Sequence, residues 1–245
     1  MPRVNTYGQP IGSALSDWTP PAMPGDETLT GRYCFLERLD PKRHAAALFA
    51  AYAQAPDGRD WTYMSTGPFA TQQDYATWAT VAAQSATQHH YAIIDRVTQL
   101  PVGTMALLRI VPEHGCLEVG AVMLAPAGQR TRVATEAQYV LMRYVFELGY
   151  RRYEWKCDSL NAASIRAACR LGFTYEGLRV ARLARAARPD LRTIHYVAPS
   201  VWAWFAIIDQ DWPMLQQAFE QWLVPENFDA QGNQIQRLKT RVNEL

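Results

Sequence analysis

Apolar and polar positions repeat with two different periods along the chain, and these periods predict its strands and helices. Apolar segments, some with alternating positions and several bounded by turns, predict strands at 32–38, 91–95, 102–111, 116–124, 153–157 and 201–208. Apolar residues spaced three and four apart predict helices that begin near Asp40, Thr71, Thr135, Asn161 and Asp211. A meander of three strands is followed by helix, strand, helix and strand. This order predicts an α+β fold, a mixed, mostly antiparallel twisted sheet with helices on both faces.

Three of the helix starts have sequence features of N-terminal caps. Asp40 is followed by Pro41, a capping residue before a proline at the first helical position. Thr71 and Asp74, three residues apart, are a variant of the capping box. Asp211 is predicted to cap the last helix, whose apolar face is expected to dock on the domain or on a partner.

Composition divides the chain into three parts. Residues 1–30 are rich in Pro, Gly and Thr and are expected to form an extended N-terminal arm. Residues 31–208 contain all the predicted strands and are expected to form one domain, with 209–245 as a C-terminal helical extension packed on it. A chain of 245 residues is long enough for one domain with such appendages.

Charge and cysteine content exclude several classes of protein. The net charge of +1 gives no reason to expect nucleic acid or an anionic membrane as a partner. No apolar run is long enough to span a membrane, and residues 1–30 lack the apolar centre of a signal peptide. The four cysteines form no Cys-x-x-Cys pair and the histidines have no ligand spacing, so no metal site or disulfide is expected. We therefore expect a cytoplasmic monomer or homodimer.

The turn before the third predicted helix carries the strongest candidate chemistry. It reads Gln129-Arg130-Thr131-Arg132-Val133-Ala134. The first N–H groups of a helix have no internal partner and lie at the positive end of its dipole, so a phosphate or pyrophosphate is the expected ligand. Arg130 and Arg132 add positive charge to this turn. Taken alone, the turn is equally compatible with an ordinary surface loop with solvated arginines.

The order of motifs resembles the GNAT superfamily of acyl-CoA transferases. That family combines a strand, a Gln/Arg-x-x-Gly-x-Gly/Ala loop, a helix, a second strand and an Asn-led helix that ends in Leu-Gly-Phe. The corresponding segments here are Gln129 to Ala134, Asn161 to Ser164, and Leu171-Gly172-Phe173. The combination is similar to the branch that includes the ribosomal-protein N-terminal acetyltransferases. One position departs from the pattern. Arg132 replaces the first loop glycine, which could displace the backbone from the phosphates or pair with them directly.

The resemblance implies acetyl-CoA as co-substrate, and no metal. The loop is expected to hold the pyrophosphate, and the strand before it is expected to splay from its neighbour to admit pantetheine. A backbone N–H near the end of that strand would stabilise the oxyanion. The implied cofactor-binding residues are Val122, Met123, Leu124, Gln129, Arg130, Thr131, Arg132, Val133, Ala134, Thr135 and Asn161.

Two residues are candidates for the chemistry of amine acylation. Glu118 is the candidate base, because its offset from Gln129 matches the base of histone-acetylating relatives. It could instead be a solvent-facing strand carboxylate, or bind the ammonium without taking its proton. Many relatives protonate the departing thiolate with a tyrosine, but Ala168 stands at that position here. The ribosomal branch uses a serine instead, and Ser164 matches it. Ser164 and Asn161 also suit a helix cap, and both roles are expected to coexist.

The acceptor side is less clearly marked. By resemblance, Trp61, Tyr63 and Phe69 line the acceptor pocket, although loop aromatics are as often core residues. After Gly177 the resemblance weakens, and arginines recur from Arg179 to Arg192. They predict a solvated helix or long hairpin, or else a basic wall for an acidic acceptor or for the 3′-phosphate of the coenzyme.

These observations predict a GNAT-fold N-acetyltransferase. It would move an acetyl group from acetyl-CoA to a primary amine by direct transfer in a ternary complex, without an acyl-enzyme. The acceptor would be a small molecule or a peptide N-terminus, and the near-neutral charge favours the small molecule. The alternative is a non-catalytic coenzyme A-binding sensor or scaffold, which Arg132 and the altered segment after Gly177 favour.

Overall fold

The computed structural model describes residues 3–12, 14–15, 17–181 and 200–240. Within them, a short antiparallel hairpin of β1 (Arg3–Val4) and β2 (Pro10–Ile11) precedes one eight-stranded sheet. In spatial order its strands are β3 (Leu29–Thr30), β4 (Cys34–Arg38), β5 (His89–Asp95), β6 (Pro101–Val111), β7 (Cys116–Leu124), β8 (Arg152–Asp158), β10 (Ser200–Ile208) and β9 (Thr174–Ala181). Neighbouring strands are antiparallel except β7 and β8, which are parallel.

Alternation along the strands divides the core between the two faces of this sheet. The described helices are α1 (Pro41–Tyr52), α2 (Gln72–Ala83), α3 (Arg132–Glu147), α4 (Ala162–Arg170) and α5 (Trp212–Trp222). Tyr91 and Ile93 of β5 pack into the cluster that contains α3, α4 and α5. Ala92 and Ile94 of the same strand pack into the cluster that contains α1 and α2. The predicted α+β class, with helices on both faces, is confirmed.

The predicted caps are confirmed at two helices and wrong at a third. Asp40 accepts a hydrogen bond from the N–H of Lys42 at 2.9 Å, with a proline at the first helical position of α1. Thr71 and Asp74 form a reciprocal capping box at α2. Asp211 precedes α5, but its side chain makes no capping hydrogen bond because its own backbone is already helical.

The helix after the basic turn begins three residues earlier than expected. Its N-cap is Thr131, whose Oγ1 accepts from the N–H of Ala134 at 3.2 Å, and Arg132 is the first helical residue. Residues Arg132 to Thr135 therefore belong to the first turn of α3 and not to the loop before it. The anion-binding donors predicted for the loop are accordingly helix N-terminal N–H groups.

The N-terminal arm follows the domain surface near the C-terminus of α3. The indole N–H of Trp18 donates to the carbonyl of Gly149 at 3.2 Å, and the N–H of Gly25 donates to the hydroxyl of Tyr144 at 2.7 Å. The arm then enters the sheet, because β3 pairs with β4.

The C-terminal extension packs on α3. The ring of Trp212 stacks on Phe146 with centroids 4.9 Å apart, and Phe219 stacks on Tyr139 at 5.4 Å. Of the predicted arginine-rich segment, Arg179 lies on β9, whereas 182–199 lie outside the described residues. No described helix combines the length and apolar character needed to cross a bilayer.

Candidate active site

The strands β7 and β8 part halfway along their length. Their parallel pairing runs from Cys116 and Arg152 to Val119 and Trp155, and then stops. Beyond that point β7 continues paired with β6, while β8 continues paired with β10. A cleft of about 2320 Å³ opens there and is bordered by both strands, α3, α4 and the loop between α1 and α2. The splay that the family resemblance implied is therefore present.

A β-bulge redirects the end of β7. The register with β6 shifts between Thr104 and Ala106, and Ala121 on β7 has a positive φ of 48°. Gly103 is required opposite the bulge, since a Cβ there would lie 2.5 Å from the carbonyl oxygen of Met123. The backbone of 120–124 consequently has no strand partner on the β8 side. The oxyanion donor predicted near Val122, Met123 and Leu124 remains a prediction on this open edge.

Backbone packing shapes the basic turn. Gly128 lies so close to β6 that a Cβ would be 2.6 Å from the carbonyl oxygen of Val102. Arg130 is exposed and left-handed, with φ of 59°. The hydroxyl of Thr131 donates to the carbonyl of Gly128 at 2.8 Å and so closes the turn onto the start of α3. This conformation aims successive N–H groups in one direction.

Four N–H groups of the turn have no acceptor among the described residues. They belong to Arg130, Thr131, Arg132 and Val133. Unpaired N–H groups at a helix N-terminus bind anions well, because the helix dipole adds to their partial charge. Binding of a diphosphate at this turn remains a prediction.

Arg132 uses its side chain for packing. Its guanidinium carbon lies 4.4 Å from the ring centroid of Tyr33 and 5.2 Å from that of Phe228. Cation–π contacts on two rings hold the side chain, while the N–H of Arg132 stays among the unpaired donors. The arginine at this position thus joins the helix start to the residue before β4 and to the C-terminal extension, a contact that the sequence did not indicate.

The loop between α1 and α2 contacts both sides of the cleft. The side-chain amide of Gln129 donates to the carboxylate of Asp60 at 2.8 Å and to the carbonyl of Leu124 at 3.2 Å. On the other side, the hydroxyl of Tyr63 donates to the carbonyl of Leu160 at 3.1 Å. Gln129, predicted to bind the coenzyme, is therefore also a tether for the loop. No sequence pattern marks Asp60 or Leu160 as its partners.

Glu118 is a buried, charge-paired carboxylate. It is 7% exposed, so the alternative of a solvent-facing strand residue is wrong. Its Oε2 accepts from Nε of Arg109 at 2.7 Å and from Nζ of Lys156 at 3.1 Å. Neither cation was predicted from the sequence. The position of Lys156 could have been found from the sequence. It follows the apolar Trp155 in a predicted strand, so its side chain lies on the opposite face.

The ion-pair network extends along β8. Lys156 also donates to Glu154 at 2.5 Å, and Arg152 donates to Glu154 at 2.8 Å. Burial raises the pKa of Glu154, but the hydrogen bonds and charges of Lys156 and Arg152 outweigh burial, so this pKa is lowered. Arg152 in turn pairs with Glu176 on β9. The network fixes the side chains on this face of the sheet.

Ser164 lies at the start of α4 beside the buried strand β8. Its N–H donates to Oδ1 of Asn161 at 3.0 Å, which is the expected cap. Its Oγ accepts from the indole N–H of Trp155 at 3.0 Å. The hydroxyl is therefore oriented by a buried donor and keeps its own proton available. Burial raises the pKa of the neighbouring Cys157, which fits a packing residue better than an acyl-carrying nucleophile.

The three predicted aromatic wall residues occupy different positions. Tyr63 and the edge of Trp61 border the cleft. Trp61 is otherwise buried, with Phe69 5.6 Å away, and Phe69 packs on Tyr75 at 5.2 Å. Phe69 is thus a core residue under the loop, the alternative that the sequence left open. Among the described residues, no group of three His, Cys, Asp or Glu side chains could hold a metal ion.

Comparisons with known proteins agree with this geometry. The sequence model of the acetyltransferase (GNAT) domain matches residues 34–174. A GCN5-related N-acetyltransferase from Brucella melitensis is 38% identical with a TM-score of 0.84, over 91% of this chain and 97% of that one. A probable GNAT acetyltransferase from Chromobacterium violaceum is 32% identical with a TM-score of 0.74, over 84% and 98%. No curated protein matches the chain.

The fold is also shared with a ribosomal-protein acetyltransferase. The Salmonella typhimurium enzyme that modifies the N-terminal serine of ribosomal protein L7/L12 has a TM-score of 0.58 and 20% identity, over 74% of this chain and 99% of that one. This likeness concerns the fold alone.

Proposed function

This chain belongs to the GNAT acetyltransferase family, and on that premise we propose that it transfers the acetyl group of acetyl-CoA to a primary amine. The amine is carried by a small molecule or a peptide N-terminus, and transfer is direct within a ternary complex. The observation that carries the proposal is the cleft between β7 and β8. It leads from the unpaired N–H groups at the start of α3 to the buried carboxylate of Glu118.

Binding of the thioester follows from the geometry of the cleft. The N–H groups from Arg130 to Val133 would hold the diphosphate. The edge of β7 at 120–124 has no partner where β8 diverges from it. The pantetheine arm would bind there and form hydrogen bonds with this edge. The thioester carbonyl would then lie against the backbone near Val122 to Leu124, where an N–H can stabilise the oxyanion. A cleft of about 2320 Å³ exceeds the usual volume of a pocket for one small ligand and leaves room for two substrates.

Glu118 would bind the acceptor amine. Its Oε2 is occupied by Arg109 and Lys156, whereas no described residue donates to Oε1. Oε1 lies near Gly120, where β7 leaves β8, since a Cβ on this glycine would be 3.5 Å from it. The free oxygen would hold the ammonium and take its proton, directly or through water, before the nitrogen attacks the thioester.

Collapse of the tetrahedral intermediate breaks the carbon–sulfur bond. The leaving thiolate would take a proton through the hydroxyl of Ser164, which Trp155 orients. The amine proton leaves through Glu118, so the reaction produces the amide and free coenzyme A with no acyl-enzyme.

The proposal is tested by calorimetry with acetyl-CoA and by thiol release over a panel of primary amines. Glu118→Gln should lower kcat about 100-fold or more, the range of a lost general base, with acetyl-CoA affinity retained. The matched control is Glu113→Gln, an exposed glutamate in the turn before β7. Absence of any association with coenzyme A derivatives would overturn the proposal.

A non-catalytic coenzyme A sensor is the second candidate function. The ion pairs of Glu118 with Arg109 and Lys156 favour it, because they occupy one oxygen of the candidate base. A sensor would bind acetyl-CoA without thiol release with any amine, and Glu118→Gln would then change no rate. The same two measurements therefore separate the candidates.

A further inference from the structure

We propose that the acceptor amine also carries a carboxylate, which binds Arg179 and Arg109 above the ring of Trp204 while the amine reaches Glu118. The inference rests on the proposed acetyltransferase function and specifies its substrate class. The surface involved lies on β7 to β9, on the side of the cleft away from the diphosphate turn.

Three cations surround one tryptophan in the cleft. Nζ of Lys156 lies 3.7 Å from the ring centroid of Trp204, and the guanidinium carbons of Arg179 and Arg109 lie 5.1 and 5.6 Å from it. The strand register brings two of these cations to Trp204. On β10, Trp204 is paired with Lys156 of β8, and Trp202, two residues before it, is paired with Arg179 of β9. Each cation is attracted by the ring, but the cations repel one another.

Among the residues that the structure describes, carboxylates compensate all but one of the positive charges on this face. Glu118 accepts from Arg109 and Lys156, Glu154 accepts from Lys156, and both Glu154 and Glu176 accept from Arg152. Three carboxylates thus balance these three cations. Arg179 has no carboxylate within ion-pair distance among the described residues. The surplus positive charge of the surface is therefore that of Arg179.

Arg179 is placed to bind an anion from the cleft. It is exposed, borders the cleft, and its guanidinium is held by the ring of Trp204. A planar guanidinium supported in this way presents two N–H groups to a carboxylate with little loss of side-chain entropy. The half-buried Trp202 lies beside it on the same face and offers apolar surface for the body of the ligand.

One residue belongs to both the amine subsite and the carboxylate subsite. Arg109 connects the two, since it pairs with Glu118 and also lies over Trp204. The coenzyme diphosphate does not account for Arg179. The diphosphate turn follows the end of β7 and starts α3, whereas Arg179 lies on β9 at the edge of the sheet. A second anion, separate from the diphosphate, is the expected ligand.

The test compares amino acids with their uncharged amides as acceptors, for example phenylalanine with phenylalaninamide. The amine of the amide is less basic, so a larger fraction of it is unprotonated and able to attack near neutral pH. A preference for the acid therefore cannot come from intrinsic reactivity. We expect kcat/KM for the acid to exceed that for the amide about tenfold, as one charge-assisted contact provides. Where turnover is slow, calorimetric titration of the acid and of the amide into coenzyme A-saturated protein measures their binding directly.

Variants identify the residue responsible. Arg179→Gln should raise KM for the acid about tenfold and leave KM for the amide unchanged, while Arg179→Lys should keep part of the preference. Arg143→Gln is the control, because Arg143 also lies over an aromatic ring, Tyr139 at 5.5 Å, but on α3 outside the cleft. Equal use of acid and amide, or equal effects of Arg179→Gln on both, would refute the carboxylate subsite with the transferase function intact. Failure to bind acetyl-CoA would instead refute the function.

Discussion

The hydroxyl of Tyr63 donates to the backbone carbonyl of Leu160 across the opening between β7 and β8, at 3.1 Å. Tyr63 belongs to the loop between α1 and α2, and Leu160 follows β8. On the opposite side, Asp60 of the same loop accepts from the side chain of Gln129, just beyond β7. The loop therefore crosses the cleft and is fastened on both sides.

Removal of one fastening should speed release of the coenzyme. Tyr63→Phe loses only the hydrogen bond to Leu160, and a neutral hydrogen bond contributes about 1 kcal/mol. We expect dissociation of coenzyme A to be about fivefold faster in stopped-flow measurements, a factor that corresponds to that free energy. Tyr7→Phe, a change at an exposed tyrosine of the N-terminal hairpin, is the control and should leave the rate unchanged.

Arg132→Gly restores the family's glycine and separates packing from phosphate binding. Loss of the contacts with Tyr33 and Phe228, together with glycine in the first helical turn, should lower the free energy of unfolding by about 2 kcal/mol. Affinity for acetyl-CoA should stay within about threefold, because the N–H at this position is retained. A large loss of affinity without loss of stability would show that the guanidinium binds the phosphates.

Ser164→Ala should affect both stability and turnover. It leaves the indole N–H of the buried Trp155 without an acceptor, at a cost of about 1–3 kcal/mol, and removes the proton donor to the thiolate. We expect kcat to fall about tenfold or more. A tenfold loss is smaller than the full effect of a general acid. Adding Trp155→Phe removes the unpaired donor. The double variant should therefore recover part of the lost stability but none of the lost kcat. Recovery of kcat in the double variant would exclude Ser164 as the donor.

Stability should fall in acid because of His90. Burial lowers its pKa to about 4, and the charges of Arg38 and His89 add to this effect. In the unfolded chain the pKa is near 6.5, so the unfolded state binds the proton first. The contribution of His90 to stability is complete above pH 6.5, declines as the pH falls to 4, and is constant below that. Urea unfolding at several pH values should show this slope.

His90→Phe should flatten the slope between pH 6.5 and 4, since it removes the titrating group and can pack on Trp78, which lies 5.9 Å from the His90 ring. His114→Asn, at an exposed turn position, is the control. An unchanged slope in His90→Phe would assign the acid sensitivity to other groups.

Glu136→Gln should be strongly destabilising. The buried carboxylate of Glu136 on α3 accepts from the backbone N–H groups of Arg32, Tyr33 and Cys34 at 2.7, 2.5 and 2.9 Å. A glutamine turns an NH₂ group toward these donors and leaves at least one of them unpaired, at a cost of about 3 kcal/mol. Thermal unfolding should show a clear drop for this variant. The same change at Glu147, exposed on the same helix, should be nearly neutral.

Much of the fold and part of the candidate site were predictable because they depend on neighbours in sequence. The strand at 91–95 was predicted where β5 lies, and the caps of α1 and α2 involve residues two or three positions apart. The turn 129–134 was recognisable as a candidate anion site for the same reason, although Thr131 starts α3 earlier than the apolar spacing indicated. Periodicity marks buried positions, not the first residues of a helix.

The tertiary structure alone decided which distant residues meet. Glu118 and Lys156 are 38 positions apart, and Tyr63 and Leu160 are 97 apart. Whether Phe69 borders the cleft or packs beneath the loop likewise depends on how α1, α2 and the sheet assemble. The sequence by itself determined six strands of the sheet and the caps of α1, α2 and α4, because backbone geometry and short-range hydrogen bonds set them. The partners of Glu118 and the position of Arg132 between two rings came only from packing, because side-chain contacts between remote segments leave no periodic signal.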